Sequence, residues 1–106
     1  MPIDGGSLQM AKAYWVATYR SVSNPEALAA YAKVAAQAVV AAGGKVLARG
    51  EPAATMEAGL KQRTVLIEFE SVAAAVAAYE SPDYRAALRL LGTGSVERDI
   101  RIVEAL

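Results

Sequence analysis

The chain has no cysteine and no histidine, and its charges cancel, with Lys+Arg and Asp+Glu both at 11 in 106 residues. Without cysteine there are no disulfides, thiolate nucleophiles or zinc–sulfur sites. Without histidine there is no Ser-His-Asp triad, no imidazole base and no proximal haem ligand. A metal would have to be held by carboxylates alone, and these are scattered along the chain, so the expectation is a protein without metal or cofactor. A net charge of zero with no basic run argues against a nucleic-acid or anionic-membrane surface. No apolar run reaches the roughly 18 residues of a membrane span, and no charged-then-apolar leader opens the chain. The expected location is cytoplasmic. Any catalysis falls to Asp, Glu, Tyr, Ser, Lys or Arg.

What is abundant is small and apolar. Hydrophobic residues make up 55% of the chain, above the usual range of about 45–50%, and alanine supplies much of the excess. The length suits one core. Alanine-rich helices bury little area each, so the chain is expected to gain core by pairing with a copy of itself. Residues 1–11 read as an N-terminal extension without periodicity, and 12–106 as a single domain.

Ala13 to Arg20 (AYWVATYR) is rich in aromatic and β-branched residues and reads as a first strand, with Tyr14 and Trp15 on opposite faces. Asn24-Pro25-Glu26 is a helix start: a side-chain cap, a proline in the first turn and an acid at the positive end of the dipole. Leu28, Tyr31, Ala32, Ala35, Ala38, Val39 and Ala42 then recur at helical spacing, and Gly43-Gly44 ends the helix. Lys45 to Arg49 reads as strand two, interrupted at Gly50-Glu51-Pro52 and resuming over Ala54 to Glu57. Arg63 to Phe69 is strand three, with Val65, Ile67 and Phe69 facing the helices. Ser71 caps a helix from Val72 to Glu80. Ser81-Pro82 breaks it and starts another, which carries Tyr84 and closes at Gly92. Arg98 to Glu104 alternates as strand four.

This β-α-β-β-α-β order is the ferredoxin-like arrangement, an antiparallel four-stranded sheet with helices on one face. Strand parity gives the uncovered face Leu47, Arg49, Leu66, Glu68, Asp99, Arg101 and Val103. That mixture is too apolar for solvent alone and suggests a homodimer with two sheets face to face around a cavity.

Several motifs together resemble the domain of unknown function 1330 family: YW near the start, NPE, KVLARG, VLIEFES, YESPDYRAA and RIVE. The resemblance spans about Ala13 to Glu104. It implies a dimeric α+β barrel, a superfamily that includes cofactor-independent monooxygenases, muconolactone isomerases and haem-degrading enzymes. No histidine is present to hold a haem iron. The segment after Gly50 is poorer in aromatic residues than the family pattern implies.

Arg49 and Glu68, placed on neighbouring strands and one face, are the leading candidates. Arg49 would anchor a substrate carboxylate or enolate through its planar fork of donors, and Glu68 would be the general base. The competing reading makes them a salt bridge that fixes dimer register. Tyr79, Ser81 and Tyr84 flank the helix break, where hydroxyls and helix N–H groups can meet an anion. Ordinary capping and core packing account for the same residues. Trp15 is a further candidate wall, with packing as its alternative role. Two functions follow. One is an enzyme, of isomerase or monooxygenase type, acting on a small organic acid or carbonyl compound in the cavity between the sheets. The other is a non-catalytic binding or structural homodimer.

Overall fold

The computed structural model describes residues 11–106, so all but Ala11 of the expected N-terminal extension lies outside the described residues. In chain order the elements are β1 (Ala13–Val22), α1 (Pro25–Ala41), β2 (Lys45–Gly50), β3 (Thr64–Phe69), α2 (Val72–Glu80), α3 (Pro82–Leu91) and β4 (Val96–Glu104). The sheet order is β2-β3-β1-β4, every neighbouring pair antiparallel. This is the ferredoxin-like fold. Among the described residues no helix is long and apolar enough to cross a membrane.

The core lies between the helices and one sheet face. Trp15, Ala17 and Tyr19 of β1 are buried there with Ile67 and Phe69 of β3, against Tyr31, Ala35, Ala38 and Val39 of α1. Ala75 and Ala78 of α2, with Tyr84, Ala87 and Leu91 of α3, complete it. Trp15 is the hub. Its ring stacks on Phe69 at 6.0 Å and meets Tyr84 edge-on at 5.2 Å. The helix starts work as expected. Asn24 Oδ1 accepts from Ala27 N at 3.0 Å, and Ser71 Oγ accepts from Ala74 N at 3.0 Å. At the exit of α1, Gly44 has no room for a side chain, because a Cβ would lie 2.6 Å from Val39 Cγ1 and 2.8 Å from Phe69 Cζ.

Two expectations need correction. Residues 54–57 form no strand. Gly50 lies opposite Thr64, the first residue of β3, so nothing stands across from the segment beyond it to complete a ladder. The second concerns β2. Its register with β3 shifts between Val46, opposite Ile67, and Ala48, opposite Leu66. Leu47 is the extra residue of a bulge, and it reverses the side-chain parity beyond it. Arg49 therefore lies opposite Val65, on the helix-covered face, while Glu68 lies opposite Lys45 on the uncovered face. The two cannot form the expected pair.

Candidate functional site

A cavity of about 40 Å³ opens between α1 and the sheet, lined by aromatic, alanine and arginine side chains. Its chemistry comes from one end of the sheet. Tyr19 of β1 lies opposite Arg98 of β4, and Tyr19 N donates to the carbonyl oxygen of Arg63, just before β3, at 3.1 Å. Arg63, at the entry to β3, thus stands in a row with Tyr19 and Arg98. The Tyr19 ring has the Arg63 guanidinium 5.8 Å and the Arg98 guanidinium 5.4 Å from its centroid. Such cation–π contacts hold the charges but do not neutralise them.

Arg98 organises the cluster. Its Nη1 donates to Tyr19 Oη at 2.9 Å and to Tyr31 Oη at 3.0 Å, and its Nη2 reaches Tyr84 Oη at 3.5 Å. Tyr31 and Tyr84 share a further hydrogen bond between their hydroxyls. Burial pushes the Tyr84 phenol far above its ordinary range, with Tyr31 adding to the effect, so Tyr84 stays a neutral phenol. For Arg98, burial opposes the charge, but the surrounding tyrosine oxygens, Tyr31 first, outweigh it and keep the guanidinium protonated.

The ion pairs among the described residues join Lys12 to Glu68 and both Arg20 and Arg101 to Asp99. None of them involves Arg49, Arg63 or Arg98, which line the cavity together. Arg63 Nε is buried without a hydrogen-bond partner among the described residues. Arginine has no acceptor, and Arg98 already engages the tyrosine oxygens, so the cavity presents N–H and O–H donors with few acceptors. Burying a cation without a counter-charge is costly. An anion with oxygens to accept these donors is the chemical complement of the site.

The sequence-predicted residues divide. Arg49, Trp15 and Tyr84 line the cavity. Glu68 does not: it sits on the other face, 3.3 Å from Lys12 Nζ, in no position to act as base there. Ser81 is occupied as a cap, its Oγ accepting from Tyr84 N at 3.2 Å and donating to the Ala78 carbonyl at 2.8 Å. Tyr79 packs against Trp15 and Tyr84 at 5.8 and 5.3 Å and lines a neighbouring groove instead. This cavity lies within one chain, under α1. Arg98, Arg63, Tyr19 and Tyr31 were not anticipated as site residues. The signal was present: Arg63 continues the core-facing phase of Val65, Ile67 and Phe69, and Arg98 that of Ile100 and Ile102. A charge in core phase at a strand end marks a site facing inward.

The sequence profile of the domain of unknown function DUF1330 matches residues 12–106. The chain belongs to this family. No curated protein sequence matches it. Among solved structures, this DUF1330 chain resembles a protein of unknown function from Rhodopseudomonas palustris, at 21% identity and a TM-score of 0.71, covering 92% of this chain and 84% of that one. A dimeric ferredoxin-like protein of unknown function from Thermobifida fusca gives 17% identity and a TM-score of 0.62, over 92% and 93% of the two chains. A Caulobacter crescentus protein with the provisional name antibiotic biosynthesis monooxygenase gives 20% identity and a TM-score of 0.60, over 92% of each. At these identities the likeness concerns the fold.

Proposed function

We propose that this DUF1330 protein binds a small organic acid, or an enolisable carbonyl compound in its anionic form, in the cavity between α1 and the sheet. The observation that carries this reading is the set of cavity arginines without a carboxylate partner among the described residues, Arg63 with a buried, unpartnered Nε. Arg98 and Arg63 would hold the anion, and further donors would come from the hydroxyl of Tyr19 and from whichever of Tyr31 and Tyr84 does not donate to the other. A site of fixed donors around developing negative charge stabilises an enolate or phenolate, which is what cofactor-independent oxygenation or isomerisation requires. The provisional monooxygenase name of the Caulobacter relative agrees with this.

A second reading, a non-catalytic binder, is favoured by one feature. With Glu68 on the other face, no carboxylate among the described residues lines the cavity to remove a proton. In both readings the uncovered sheet face, with Leu66 half-buried and Val103 52% exposed, pairs with a second copy of the chain.

A thermal-shift screen of small carboxylates, ketones and phenols on wild type, Arg98→Met and Arg63→Met tests the site. A ligand at a hundred times its Kd adds about 2.7 kcal/mol. The expected result is stabilisation of wild type by acids or phenols that both variants lose. Stabilisation kept in both folded variants would overturn the assignment.

A further inference from the structure

Arg98 also lines a second space. Beyond it, between α2 and the outer strand β4, runs a groove of about 360 Å³ lined by Val76, Tyr79, Glu80, Arg98, Ile100 and Ile102. Arg98 is the residue common to this groove and the cavity under α1. Its hydrogen bonds to the tyrosines use three of the five N–H groups of a guanidinium. The others remain for a further acceptor.

The groove differs chemically from the cavity. Val76 and Tyr79, 39% and 36% exposed, form its α2 wall, and Ile100 and Ile102 form its β4 wall. From Arg98 to Ile102 the strand covers about 13 Å at the usual rise per residue. The one acid in the lining is Glu80, at the end of α2. The groove is therefore an apolar track leading to a guanidinium, with a carboxylate on its border.

Building on the anion reading above, we infer that the ligand is a monoacid with an apolar tail. Its acid group meets Arg98, and its tail lies in the groove between Val76 and Tyr79 on one side and Ile100 and Ile102 on the other. The cavity of about 40 Å³ holds little more than an acid head, so a larger ligand extends beyond it. The groove is the apolar space that shares Arg98. A second acid at the end of the tail would have to lie against Val76, Tyr79, Ile100 and Ile102, so the groove selects monoacids over diacids of the same length.

Isothermal titration of wild type with acetate, butanoate, hexanoate and octanoate tests this, alongside the diacid with the carbon number of octanoate. Each methylene buried in the groove should lower Kd about threefold to fourfold, until the groove is filled. Val76→Gln, at an exposed helix position, should reduce that gain while leaving acetate binding unchanged. The diacid should bind more weakly than octanoate. If acetate and octanoate bind wild type equally well and both are lost in Arg98→Met, the groove is not a tail site and the anion site stands. The tail assignment is likewise overturned if the chain-length gain persists unchanged in Val76→Gln. If none of the acids binds, the anion reading fails and the tail assignment falls with it.

Discussion

Replacing Arg98 with methionine should cost the unliganded protein little. The guanidinium binds Tyr19 and Tyr31 at 2.9 and 3.0 Å and Tyr84 at 3.5 Å. When it is removed, Tyr31 and Tyr84 keep the bond between their own hydroxyls, so Tyr19 is the phenol that loses its partner. A buried hydroxyl left unpaired costs about 1–3 kcal/mol, and each lost cation–π contact about 0.5–2 kcal/mol. Against this, the variant no longer buries a cation without a counter-charge, a penalty of several kcal/mol per ion. Methionine fills much of the vacated space. These opposing contributions nearly cancel, and the net change should lie within about 1.5 kcal/mol of zero. Urea unfolding followed by tryptophan fluorescence reads this directly, since Trp15 is the one tryptophan. Repeating it with benzoate at a hundred times its Kd should add about 2.7 kcal/mol to wild type and nothing to Arg98→Met. A loss above about 3 kcal/mol without ligand, with no benzoate effect on wild type, would refute the reasoning and make Arg98 a structural bolt.

Trp15→Ala should destabilise by about 3–5 kcal/mol, because the ring is 2% exposed and packed against Phe69, Tyr79 and Tyr84; thermal or urea unfolding followed by circular dichroism checks it. Gly44→Ala should cost about 1–3 kcal/mol through overpacking against Val39 and Phe69, read as a lower urea midpoint with an unchanged slope. Asp99 has its carboxyl pKa lowered, first by the Thr18 hydroxyl donating to it and then by Arg20. Its folded pKa lies below the unfolded one, so its stabilisation is present above the ordinary aspartate range of about pH 4 and is lost as pH falls through the folded value. Asp99→Asn should therefore flatten the acid side of the stability–pH curve, measured as urea midpoints down to about pH 2.

The element order was legible because its signals are local. Asn24-Pro25 and Ser81-Pro82 each combine a cap with a proline in the first turn, and both start helices where they stand. The two faces of β1, β3 and β4 were legible too, since alternation runs without interruption from Ala13 to Tyr19, along β3 and from Arg98 to Glu104. The site was less so, for a physical reason. The bulge at Leu47 depends on how β2 pairs with β3, and no local pattern reveals that pairing. One extra residue was enough to carry Arg49 from the uncovered face to the cavity wall and to separate it from Glu68. Arg63 and Arg98 were overlooked because a charged residue at a strand end looks like a solvated boundary. Their inward direction follows from extending the core phase one step further, and Arg98 gains its meaning from Tyr19 and Tyr31, 79 and 67 residues away in the chain.

The α1 wall of the cavity is made partly of Ala32, Ala35 and Ala36. A methyl group has no rotamers to choose among, so this wall has its bound shape before any ligand arrives. A guest lying against it freezes no side chain there, and the ordering entropy that a wall of leucines or methionines would lose on binding is absent. The same rigidity limits tolerance. A ligand one methyl too wide meets a helix backbone rather than a side chain that can step aside, so discrimination at this wall is set by the spacing between α1 and the sheet.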